Sequence, residues 1–249
     1  MIMNRCIHIF WRGDLRVAPV TRTRQRAFLL LLTLACALPL HADTVLLRDP
    51  SVQRHTAIQH VGEDGVVMAD ETVIPWADVR RVVFDRFAVP AKSSGLLLVN
   101  GTLLNGYIRK REAAFMEFRS ASLGALNIPL EAIAAVYYAG RENLPARLPQ
   151  PREPIWIDRL GAQHTGKVLW FDAETIGVIG SEGLERIPVQ RVNVLVLQRV
   201  SVPREARLRL RNGDGFIGPF RFDGEHMVFT LLDREHQVPS GAWAEIIQP

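Results

Sequence analysis

Outside its first 42 residues the chain carries five histidines: His55, His60, His164, His226 and His236. Histidine is the side chain best suited to proton transfer near neutral pH or to holding a metal. No two of these stand as His-x-x-x-His or His-x-His. His55 and His60 are five apart across one strand and are expected to face opposite sides. Such scattered histidines read as solvent-exposed or capping. The only cysteines, Cys6 and Cys36, fall in the first 42 residues, so the rest of the chain has no thiol nucleophile, thiolate ligand or disulfide. There is no Gly-x-Ser-x-Gly step, phosphate-cradling glycine loop or calcium loop. Glu63, Asp64, Asp70, Glu71, Glu182, Asp223 and Asp233 fall at hairpin tips. A glycosidase needs two carboxylates facing each other across a cleft, and no spacing here singles out a pair. No catalytic, cofactor-binding or metal-binding residue is assigned, no cofactor is expected, and the chain reads as non-enzymatic.

The aromatic residues and one aspartate hold the remaining interest. Trp156 aligns with Leu96 and Leu208, and Trp170 with Phe222, all inward positions, so both tryptophans are expected in the core. Trp76 and Trp243 flank Pro-containing turns and are expected nearer the surface. Asp158 aligns with Leu98 and Leu210, an inward slot where a charge is costly unless paired. Either the register slips there or Asp158 meets a partner such as an Arg from a neighbouring repeat.

Residues 1–42 must be separated from the rest. Arg22, Arg24 and Arg26 precede an apolar run from Ala27 to Leu40, and Leu40-His41-Ala42 offers a small residue before Asp43. This is the order of a secretory signal peptide with a long n-region. The run is shorter than the roughly 20 residues that span a bilayer; an uncleaved anchor is the alternative, and the only expected route to a membrane. Setting this segment aside, with its six Arg and one Asp, takes the net charge from +4 to −1. The basic surface of a nucleic-acid binder is then missing.

The elements that position these residues repeat four times. Ile74-Pro75, Ile128-Pro129, Ile187-Pro188 and Val238-Pro239 each precede a short polar stretch and an apolar strand, and the prolines are 54, 59 and 51 residues apart. Each copy opens on an apolar strand and a turn, as in Asn100-Gly101 and Asn212-Gly213, with a second glycine at Gly106, Gly166 or Gly218. Asn-Gly between alternating apolar runs marks a hairpin. Five short strands per copy are expected over 43–86, 95–140, 155–199 and 204–249. A 113-residue spacing separates Pro75 from Pro188 and Pro90 from Pro203. Copies one and two therefore match copies three and four, and the prolines of 141–154 suit a semi-rigid linker between two lobes.

The first strand ending in Asn-Gly, the glycine five residues on and the Ile-Pro turn together resemble the Sm-like and SH3-like small barrels, as found in tandem in exported bacterial envelope proteins. The resemblance covers nearly all of 43–249. It implies an all-β fold of four small five-stranded barrels in two pairs; a four-bladed β-propeller is the rival. The Arg-Gly step of Sm-like RNA binders is missing before Val79, Ile133, Val192 and Ala242, so nucleic acid is not an expected partner. The expected function is an exported binding or assembly scaffold of the periplasm or cell envelope, whose partner is an envelope protein or a glycan. A carbohydrate-binding accessory module and an enzyme with a site between the lobes are the alternatives.

Overall fold

The computed structural model describes residues 43–49, 53–55 (backbone only), 57–84, 94–138, 149, 152–180 and 183–249. Residues 1–42, with Cys6 and Cys36, and most of the proline-rich 141–154 lie outside these.

Each copy folds from the same local instructions. Copy one gives β1 (Thr44–Leu47), β2 (Gln53–His55), β3 (Ile58–Val61), β4 (Gly65–Met68), β5 (Val73–Pro75) and β6 (Val79–Val83). Copy two gives β7 (Gly95–Leu98), β8 (Leu103–Arg111), β9 (Phe115–Ser120), β10 (Gly124–Pro129) and β11 (Ile133–Tyr137). Copy three gives β12 (Ile155–Asp158), β13 (Gln163–Thr165), β14 (Lys167–Phe171), β15 (Thr175–Gly180), β16 (Gly183–Pro188) and β17 (Val192–Val196). Copy four gives β18 (Arg207–Leu210), β19 (Gly215–Ile217), β20 (Phe220–Asp223), β21 (His226–Leu231), β22 (Arg234–Pro239) and β23 (Trp243–Ile247). The second strand is continuous only as β8. At its bend a Cβ on Gly106 would lie 2.0 Å from the Arg119 carbonyl oxygen, so only glycine lets the two strands approach. The first hairpin is a three-residue loop rather than a two-residue turn: Gly101, Gly161 and Gly213 sit at φ +89°, +88° and +87°, and no Asn joins them at positive φ.

The strands do not close into barrels, which overturns both the small-barrel reading and its family resemblance at the level of architecture. In every copy the strand that ends in proline (β5, β10, β16 or β22) pairs only with the strand before it. The proline removes an N–H at that strand's end, and in three copies a 3₁₀ turn then redirects the chain (Leu130–Ala132, Val189–Arg191, Ser240–Ala242). The last strand therefore pairs with the first strand of its own copy and, on its other edge, with the last strand of another copy. The result is one 14-stranded sheet with the path β13-β12-β17-β11-β7-β8-β19-β18-β23-β6-β1-β2, to which β9 and β10 attach through β8. Three separate three-stranded sheets remain: β3-β4-β5, β14-β15-β16 and β20-β21-β22. These are not propeller blades either.

The order of copies along the large sheet is three, two, four, one. The expected lobes of copies one with two and three with four are therefore corrected. Copy two joins copy three through β11·β17, with Val136 opposite Leu195, and copy four joins copy one through β23·β6, with Ile246 opposite Val82. Exchanging copy one with three and two with four maps each joint onto the other and leaves β8·β19 in place. The 113-residue duplication thus appears as a pseudo-two-fold relation centred on β8·β19, not as two lobes on a linker. Residues 42–249 form one unit. One buried apolar cluster runs through all four copies, including Val82, Leu96, Ile133, Ile176, Leu195, Phe216 and Trp243. Each such side chain contributes about 1.5–3 kcal/mol on burial. A second cluster, with Ala135, Tyr137, Ile155, Ile157, Val194 and Val196, lies at the joint of copies two and three.

Candidate functional site

The histidines are not brought together. His60 and His226 are exposed, His164 and His236 are half-buried, and the His55 side chain lies outside the described residues. Among the described residues no group of three His, Cys, Asp or Glu could hold a metal ion. No described helix is long and apolar enough to cross a membrane. Glu63, Asp64, Asp70, Glu71, Asp223 and Asp233 are exposed, and Glu182 lies outside the described residues.

Asp158 occupies the slot of Leu98 and Leu210: it faces Val192 as Leu98 faces Ile133 and Leu210 faces Trp243, each after the same β-bulge. The bulge is thus common to the copies and no private slip is needed. The partner is local, not an Arg of another repeat. Oδ1 accepts from the amides of Leu160 (2.8 Å) and Ala162 (2.9 Å), and Oδ2 lies 3.3 Å from Nε2 of His164. Burial alone would raise the carboxyl; the bonds from His164, Ala162 and Leu160 outweigh it and hold Asp158 below the usual carboxylate range. The His164 ring stacks on Trp156 with centroids 3.8 Å apart.

The tryptophans divide differently from the expectation. Trp156 is buried as expected, but Trp243, expected near the surface, is 1% exposed. It donates its indole N–H to the Val238 carbonyl. Trp170 leaves the core because of a bulge. Leu169 is extruded from the β14·β15 ladder, which turns Trp170 toward Gly177 on the outer face and Phe171 toward Ile176 in the core. Copies one and two have the same bulge at Gln59 and Arg109. Copy four lacks it, so Phe222, at the same distance from its glycine, faces Met227 in the core instead.

An opening lies where copies one and four meet, and it could not be read from one repeat. It is a cleft of about 640 Å³ lined by Trp76 of copy one and by Ala206, Pro219, Phe220, Phe222 and Gln248 of copy four. A cleft of that size suits a ligand segment. Trp76 and Phe222 stack with centroids 5.5 Å apart and planes at 11°. Trp76 sits in the turn after Ile74-Pro75, where its indole N–H donates to the Gly62 carbonyl at 2.9 Å. Phe222 also packs edge-on to Trp243 at 6.0 Å. Glu63, Arg204, Glu205 and Arg221 stand around the opening. Arg221 is already paired with Glu235 at 3.1 Å.

At the pseudo-two-fold mate of this cleft the described side chains differ. At the joint of copies two and three, Arg111 takes the place of Phe222, Tyr138 that of Gln248, and Phe171 that of Val61. The Arg111 guanidinium lies 5.4 Å from the Phe171 ring centroid, and the Tyr138 hydroxyl is buried. Burial and nearby Asp172 push the Tyr138 phenol well above its usual range, with Arg111 opposing.

These surfaces correct the expected scaffold function. Its premise was several equivalent barrels, and the copies are instead fused, unclosed and unlike at their joints. The alternatives lose their premises as well: no boundary separates lobes of copies one–two and three–four, and two of the tryptophans considered for sugar stacking are buried. No protein-family model, no curated protein and no solved structure matches this chain, so the small-barrel family resemblance finds no support.

Proposed function

We propose that the protein is a single-site binding protein that seats an extended apolar segment of another polypeptide in the cleft between copies one and four. The observation that carries this reading is the asymmetry between the two related joints. One carries the half-buried Arg111 and Tyr138; the other opens over the stacked Trp76 and Phe222.

The chemistry of the cleft favours a polypeptide over a sugar. The Trp76 N–H is engaged by Gly62, so the aromatic floor offers apolar ring surface and no free donor. Rim charges of both signs suit a backbone flanked by mixed side chains, and aromatic clefts of this kind take proline and apolar side chains of extended segments. Panning of random decapeptides and a glycan array, both against the full chain, test the reading. Peptides with apolar or proline residues at alternate positions should bind the wild type and lose binding to Ala206→Phe, which fills the cleft. Glycan binding that survives in place of peptide binding would refute it.

A further inference from the structure

We infer that the outer face of β14-β15-β16 in copy three is a peripheral contact for an anionic phospholipid surface. This does not rest on the cleft, which belongs to copies one and four.

The cross-strand rows on this face are Lys167–Ile179–Leu184 and Trp170–Gly177–Arg186. Leu169, extruded by the bulge, joins them. Leu184 is 63% exposed, Ile179 43% and Leu169 39%. The indole of Trp170 lies flat on the sheet: a Cβ on Gly177 would fall 2.3 Å from its ring atoms. The Arg186 guanidinium lies 5.6 Å from the ring centroid. The two rows thus bring together three exposed aliphatic side chains, an indole and two cations, and they contain no carboxylate.

Copies two and four act as an internal control; copy one has His60, Val67 and Val73 at the places of Trp170, Gly177 and Arg186, with Val73 52% exposed. At the places of Trp170, Gly177 and Arg186, copy two has Lys110, Glu117 and Asn127, and copy four has Arg221, Val228 and Gln237. At the places of Ile179 and Leu184, copy two has Arg119 and Ala125, and copy four has Thr230 and Glu235. Neither places such an apolar group on its outer face, so the repeat does not require it. Exposed aliphatic residues around a Trp, with Lys and Arg beside them, match the interfacial zone of a bilayer: apolar groups enter the acyl boundary, the indole sits at headgroup level and the cations meet lipid phosphates. A neutral apolar partner would not need two cations in rows that hold no carboxylate.

Co-sedimentation of the full chain with vesicles tests this. The wild type is compared with Leu184→Asp and with Lys167→Gln/Arg186→Gln, whose leader is the same. Thermal transitions are recorded first; these positions are exposed, so folding should be kept. On vesicles of one part phosphatidylglycerol to two parts phosphatidylcholine, Lys167→Gln/Arg186→Gln should bind more weakly than wild type by roughly fivefold for each lost cation. Leu184→Asp should lose binding comparably, and a blue shift of tryptophan emission on vesicles should be absent in Trp170→Phe. Equal binding by all variants, or equal binding of the wild type to pure phosphatidylcholine, would overturn the proposal. Vesicle binding that is absent throughout would do the same and leave the face to a protein partner.

Discussion

Asn105 of copy two meets Asp214 of copy four at the centre of the pseudo-two-fold relation. Asp214 is fully buried, and its carboxylate accepts from the Asn105 backbone and side-chain amides, from the Ser122 hydroxyl and from Nδ2 of Asn212. The symmetry mate of the first bond is the weaker contact from the Ile217 amide to the Thr102 hydroxyl, at 3.4 Å. β8 and β19 share a single residue pair, Leu103 with Gly215, so side chains must hold this joint. Asp214→Ala should leave several buried donors unsatisfied and cost about 3 kcal/mol, or roughly 6–12 °C in Tm. Asp214→Asn should cost nearly as much, because its NH2 would face donors. Calorimetry of the three proteins checks this.

The two outer joints use opposite chemistry at matching positions. Arg81 and Glu245 stand in β6 and β23 where Val194 and Ala135 stand in β17 and β11. Glu245 is 5% exposed and pairs with Arg81 and, at 3.4 Å, with Arg209. Removing Arg81 weakens the support of a buried carboxylate, and with the guanidinium half-exposed the cost should be about 1–2 kcal/mol. The double change Arg81→Val/Glu245→Ala, which copies the other joint, should be neutral or stabilising. Urea denaturation of the single and double variants separates the two. Equal losses in both would contradict the matching of the joints.

Halves of the chain should not fold alone. Residues 43–140 hold β6 and β11, whose outer edges pair with β23 and β17 of the other half. Expressed separately, 43–140 and 155–249 should each lack a cooperative thermal transition, and mixing them should restore one. Two lobes on a linker would instead give two independent transitions.

Stability should fall on acidification through His236. Its burial lowers the imidazole pKa below 6.5, and Arg234 adds to this against an opposing hydrogen bond that the ring donates to the Leu231 backbone. Between the lowered folded value and 6.5 the unfolded chain holds more protons, so stability is full above 6.5 and declines as pH falls below it. The urea midpoint should drop between about pH 7.5 and 5.5, and His236→Asn should reduce that drop.

The repeat was legible because its signals are local: glycines at positive φ, prolines at strand ends and alternating apolar residues. Pairing between copies was not, because an apolar last strand such as Val192–Val196 reads the same whether it closes its own unit or joins another. Lining up residues by distance from a glycine placed Trp170 with Phe222, and one bulge present in copy three but absent from copy four undid that match. Asp158 was rightly singled out as a charge in an apolar slot, yet its partners are its own turn and His164. The cleft left one trace in the sequence, Trp76 beside a proline turn. Its other wall, Phe222, comes from a copy that pattern alone did not place next to it. Asp214 drew no attention, because an Asp after Asn-Gly looks like an ordinary turn residue.

The most direct measurement is the affinity of a panned peptide for the full chain and for Ala206→Phe, Trp76→Ala and Tyr107→Ala by titration calorimetry. Trp76 should behave as a hot spot, with truncation weakening binding by about 2 kcal/mol or roughly thirtyfold. Ala206→Phe should abolish the heat of binding, and Tyr107→Ala, exposed on copy two, should leave it unchanged. Equal affinity for all four proteins would place the bound segment elsewhere and contradict the account.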